Sequence, residues 1–132
     1  MAAVRQKHLV LILAREFASN LATPTAITDE EGRLIYFNEA AEEVFGQSLS
    51  EVGEMDYGEW TSRFTPRSIE SDDPLPMERR PTGFALREHR ASHERFRITT
   101  IDGVAREISV TAFPLYAHPD ELVGAVTIFW RD

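Results

Sequence analysis

The chain has 132 residues, 42% of them apolar and 27% charged, the size and balance of a single globular domain. With no cysteine it is barred from thiolate catalysis, Cys-ligated zinc, iron–sulfur clusters and disulfides. A net charge of −8 opposes nucleic acid and anionic membrane as partners, and the longest apolar run, Leu9 to Ala14, is far short of the roughly 20 residues a bilayer helix needs.

Residues 4 to 21 lack Pro and Gly, are rich in Leu and Ala, and read as a helix about 27 Å long at the α-helical rise. Thr23-Pro24 stops it. Leu9, Leu13, Phe17 and Leu21 form one i, i+4 stripe, and Val10, Leu11, Ile12 and Ala14 widen the apolar arc beyond one packing face. Such a helix serves its own domain with one side and a second copy with the other, which makes Leu9, Ile12, Leu13, Phe17 and Leu21 the expected homodimer contacts. The division expected is residues 1–22 as this helix and 23–132 as the domain proper.

From Thr25 the period shortens: TAIT, a turn at DEEG, then RLIYF. Asn38 N-caps the segment EAAEEVF, and Gly46 ends it. Ser48 to Glu51 has capping-box spacing, predicting a short helix that ends near Gly53. Residues 53 to 82 carry two glycines and four prolines and read as short turns, with Trp60, Phe64 and Ile69 tucked inward. Met77 to His89 reads as one helix weakened by Pro81 and Gly83. Beyond Ser92 come three strands, ERFRITTI, AREISVTAFPLY and LVGAVTIFW. The order predicts an α+β domain with a five-stranded antiparallel sheet, helices packed on one face, and the N-terminal helix besides.

The stretch TAITDEEGRLIYFNEAAEEVFGQS resembles the opening of PAS domains: apolar strand, Asp-to-Gly turn, second strand, Asn, and a short Ala-rich helix ending in Gly. IDGVAREISVTAFPLYAHPDELVGAVTIFWRD is similar to their closing strands, and PLPMERRPTGFALRE to a Pro-Leu-Pro helix found in one branch of the family. The resemblance covers roughly residues 22 to 132. It implies a bacterial-type sensory and interaction module, without catalysis of its own, acting on a kinase, cyclase, phosphatase or transcription regulator; a cytoplasmic location is expected separately, from the lack of a signal peptide or membrane span in the sequence. The family's flavin-photoadduct and thioester chromophores both require a cysteine, so neither is expected. Haem is disfavoured because Pro81 to Leu86, where the family's ligand would lie, contains no histidine.

Asp29, Gly32, Asn38 and Gly46 are explained by turn geometry and capping without a ligand. His89 and His93 have metal-ligand spacing only if the chain between them is helical, and Arg90-Ala91-Ser92 reads instead as a helix end, so no metal site is assigned. No Gly-x-Ser-x-Gly elbow, phosphate loop or His-Glu-x-x-His pair is present. The candidate apolar pocket comprises Ile27, Trp60, Phe64, Phe84, Phe96, Ile98, Val110 and Phe113, and its expected ligand is small and apolar. Two alternatives stand: a nuclear transport factor 2-like small enzyme with an acid/base pair in its pocket, or a structural dimerisation domain with a filled core.

Overall fold

Alternation of apolar and polar residues through the last third of the chain produces three long antiparallel strands, β3 (Ser92–Thr99), β4 (Ala105–His118) and β5 (Glu121–Arg131). The shorter β1 (Thr25–Asp29) and β2 (Leu34–Phe37) complete a five-stranded sheet in the order β2-β1-β5-β4-β3, every pairing antiparallel. The computed structural model describes residues 2–46, 53–63, 65–100 and 103–131. The helix expected from Ser48 falls almost wholly outside these, and so does Phe64.

The helices are α1 (Ala2–Ser19), α2 (Glu39–Phe45), α3 (Tyr57–Arg63) and α4 (Pro81–Glu88), with a 3-10 turn at Met77–Arg79. The single helix expected from Met77 to His89 is therefore two elements. Pro81 does not weaken a helix but begins one, occupying its first turn, where a missing N–H costs nothing. His89 ends α4 in the left-handed conformation, its N–H bonded to the Ala85 carbonyl. Pro114 is tolerated inside β4 because β3 ends opposite Ala112, leaving β4 an edge at that point.

The sheet buries two different surfaces. Its inner face supplies Ala26, Phe37, Phe96, Ile98, Ile108, Val110 and Phe129 to one core, closed by Val44 and Phe45 of α2 and Trp60 of α3. Phe45 stands edge-on to both Phe37 and Phe129, with centroids 4.5 and 5.8 Å apart. The Trp60 indole N–H donates to the Gly32 carbonyl at 2.9 Å, tying α3 to the β1–β2 turn. On the outer face, Leu11, Ala14 and Ala18 of α1 cover Ile27, Leu115, Val126 and Ile128, and the Arg15 guanidinium sits 4.9 Å from the Tyr36 ring centroid.

Asn38 joins the two sides. Only 1% exposed, its Oδ1 accepts from the N–H groups of Ala41 and Thr25, both at 3.0 Å, which caps α2 and fixes the start of β1. Its Nδ2 donates to the carbonyls of Ala18, Leu21 and Thr23 at 3.0, 3.3 and 2.9 Å. That satisfies carbonyls at the end of α1 and draws the chain out of the helix at Ser19, two residues before the expected end at Leu21.

Candidate functional site

A cavity of about 60 Å³, partly open at its mouth, lies between the inner sheet face and α2, α3 and α4. Each wall comes from a separate element: Val44 and Phe45 from α2, Tyr57 and Trp60 from α3, Pro81 and Thr82 from α4, and Phe96, Ile98, Ile108, Val110, Thr127 and Phe129 from β3, β4 and β5, with Pro66 and Arg80 from the connecting segments. Only Tyr57 and Arg80 of these are half-exposed, and the rest are buried, so these two form the rim. The buried hydroxyls of Thr82 and Thr127 lie 2.7 Å apart and satisfy each other, leaving the surface facing the void apolar. A carboxylate, imidazole or thiol does not appear among the described lining residues.

The rim has its own electrostatics. Burial raises the Tyr57 hydroxyl above the ordinary tyrosine pKa of 10.0, opposed in part by the charges of Arg80 and Arg87 and by the Gly83 backbone. The Tyr57 ring lies against Gly83 so closely that a Cβ there would run into the hydroxyl, which is why α4 carries glycine at this turn. Arg79 is held by Glu94 at 3.0 Å, a bond that raises the guanidinium's pKa further, whereas Arg80 Nε donates to the Leu75 carbonyl at 3.1 Å.

Four of the eight residues expected to line a pocket do so: Trp60, Phe96, Ile98 and Val110. Ile27 and Phe113 do not, because both side chains fall on the outer face: Ile27 packs under α1, and Phe113, opposite Val126, is 36% exposed. Phe84 is partly buried beneath the Arg90 guanidinium, 5.2 Å from its ring centroid, and is not among the lining residues. Val44, Phe45, Tyr57, Pro66, Arg80, Pro81, Thr82, Ile108, Thr127 and Phe129 escaped sequence reasoning. A signal existed for two of them, since Thr127 and Phe129 alternate with Val126 and Ile128 and so share one face of β5.

The outer surface of α1 carries a second feature. Leu9, Ile12, Leu13 and Phe17 are 53, 57, 58 and 69% exposed and form a continuous apolar stripe turned away from the sheet. Leu21, expected on the same stripe, is half-buried beyond the helix end. His89 and His93 share no helical face: the first ends α4, and the second lies in β3 with Nδ1 2.6 Å from the Thr111 hydroxyl. His118 is exposed. No described helix is long and apolar enough to cross a membrane.

Comparison with known proteins places this architecture. Residues 13–132 match the family model described as the PAS fold. A search of curated proteins gave no match. Among solved structures, the PAS domain of BvgS from Bordetella pertussis is similar at 20% identity and TM-score 0.60, over 92% of this chain and 84% of that one. The PAS domain of nitrogen regulation protein NR(II) from Vibrio parahaemolyticus matches at 19% identity and TM-score 0.64, over 91% and 98%. The LOV domain of a blue-light activated histidine kinase from Erythrobacter litoralis EL346 matches at 21% identity and TM-score 0.61, over 85% and 97%. With the family match spanning most of its length and the five-stranded sheet in hand, the chain belongs to the PAS-fold family.

Proposed function

We propose that the protein is a sensor domain that takes a small apolar molecule into the inner cavity and passes its occupancy through a homodimer to a signalling effector such as a histidine kinase. The observation that carries this reading is the apolar-lined cavity at the meeting of three helices and three strands. Protein interiors are close-packed, and unfilled apolar space bounded by so many elements is costly unless something occupies it. A purely structural domain would close that space. An enzyme of the nuclear transport factor 2-like kind needs a proton-transfer pair, and the described lining offers only two threonines bonded to each other beside the rim pair Tyr57 and Arg80.

The route outward follows β5. Thr127 and Phe129 face the cavity, while Val126 and Ile128, alternating with them, pack toward α1. A ligand that presses on the inner residues moves the outer ones with them, and the exposed stripe of α1 offers those shifts to a second copy. Asn38 adds a link, since it bonds both the end of α1 and the start of the cavity-lining α2. PAS relatives that belong to histidine kinases, including the light-activated kinase above, support an effector of that class.

Trp60 is buried in the wall and Trp130 lies exposed elsewhere, so emission from a Trp130→Phe variant reports the cavity alone. Titration with a fatty-acid series that includes short chains is expected to shift it, flavin and haem serving as bulky comparisons, and no shift with any of the acids at the solubility limit overturns the ligand half of the reading. For the dimer half, Leu13→Glu/Phe17→Glu is expected to sediment as a monomer with its circular dichroism retained. A double variant that stays dimeric refutes α1 as the interface.

A further inference from the structure

The cavity does not stand alone: Pro66 and Arg80 line both it and an adjoining open groove of about 200 Å³, whose other walls are Thr65, Arg67 and Pro74. Arg80 is therefore the charged side chain common to both: it meets the wholly apolar cavity surface with its hydrocarbon stem and also lines the groove, which has some polar surface. Its Nε donates to the Leu75 carbonyl, which fixes the plane of the guanidinium. Among the described residues, no carboxylate pairs with it and its two terminal nitrogens hold no protein acceptor. Arg67, across the groove, donates to the Asp72 backbone carbonyl at 3.0 Å and likewise has no carboxylate partner among them. By contrast Arg33, Arg79, Arg87, Arg95 and Arg97 are paired with acidic side chains and Arg15 and Arg90 lie over aromatic rings; Arg106, whose Nε is buried, lines neither the cavity nor the groove. In a chain of net charge −8, two guanidiniums left open toward one groove mark a site for an anion from outside.

We infer that the ligand is a small aliphatic carboxylic acid, bound with its hydrocarbon end in the cavity and its carboxylate on Arg80, with Arg67 adding charge across the groove. The proposal rests on the cavity being the ligand site and adds the ligand's chemistry. A guanidinium held by Nε presents its terminal nitrogens as a fork that matches the two oxygens of one carboxylate. The cavity sets the tail: about 60 Å³ is well below the roughly 150 Å³ that admits benzene, so a short chain fits where a ring does not.

The test compares butanoate and hexanoate with butanol and hexanol, followed on the full chain by NMR through the Trp60 indole N–H and the Ile98 and Val110 methyls. The acids are expected to bind about tenfold or more tightly than the matched alcohols, with affinity falling several-fold from low to high salt while that of the alcohols stays level. Arg80→Gln is expected to abolish the preference, so that acid and matched alcohol bind alike, and Arg67→Gln to reduce it by less. The salt dependence needs no variant, so it decides the matter even if Arg80→Gln fails to fold. Equal binding of acid and alcohol, or an Arg80→Gln protein that keeps the acid preference, overturns the carboxylate assignment and leaves the apolar cavity standing. If neither acids nor alcohols move these resonances, both the assignment and the cavity reading fail.

Discussion

Replacing Asn38 with alanine removes the joint between α1, β1 and α2, and its cost can be worked from the bonds lost. The side chain accepts from Thr25 and Ala41 and donates to three carbonyls. Loss of the α2 cap costs about 1 kcal/mol. The Thr25 N–H, buried and bonded to this oxygen, loses its acceptor at about 1–3 kcal/mol. The carbonyls are less exposed to the change: Ala18 keeps the Leu21 N–H and Thr23 keeps the Thr25 hydroxyl. The sum is about 3 kcal/mol, a large share of the roughly 5–15 kcal/mol that holds a domain together. For a chain of this length it corresponds to a melting temperature lower by about 10 °C. Urea unfolding should show a lower midpoint with an unchanged slope. Asn38→Asp keeps the acceptor but turns a carboxylate toward three carbonyls. It loses all three donations to those carbonyls, so this variant should also melt below the wild type. An Asn38→Ala protein melting within about 3 °C of the wild type would refute the reasoning.

Three further outcomes follow from the cavity walls. Thr127→Val strands the Thr82 hydroxyl and should cost about 1–2 kcal/mol in chemical denaturation, whereas Thr82→Val/Thr127→Val, which removes both partners, should return close to wild type. Gly83→Ala places a methyl against the Tyr57 hydroxyl and should destabilise by about 1–3 kcal/mol; Tyr57→Phe, which removes the atom struck, should recover part of that in a double-mutant cycle. Because burial raises Tyr57 above 10.0, its contribution to stability is complete below that pH and is lost as pH rises through the folded value. Alkaline unfolding of the wild type should therefore be steeper than that of Tyr57→Phe.

Much of the frame is readable from local chemistry. The Asp29 turn depends on contacts within four residues, its carboxylate accepting from the N–H groups of Glu31 and Arg33. Asn38 as a cap is likewise local, since the bond goes to Ala41. Its bonds to Ala18 and Thr25 cross 20 and 13 residues, and no spacing rule reveals them. Face assignment failed where the sheet is covered on both sides. Thr25, Ala26, Ile27 and Thr28 are all buried, so β1 has no alternation to show that Ile27 belongs to α1 and Ala26 to the inner core. Phe113 reads as inward because it is a large aromatic, yet Val110 and Ala112 set the inward parity of β4 and turn it outward. Arg80 escaped because an arginine between another arginine and a proline carries no periodic signal, and its meaning comes from lining two spaces at once.

The most direct measurement is mass spectrometry of freshly purified protein under native conditions beside denaturing ones, which reports bound small molecules and oligomeric state together. The account predicts a dimer carrying a small organic acid whose mass disappears on denaturation. A protein of bare mass that also remains bare after incubation with short-chain acids and alcohols would contradict it.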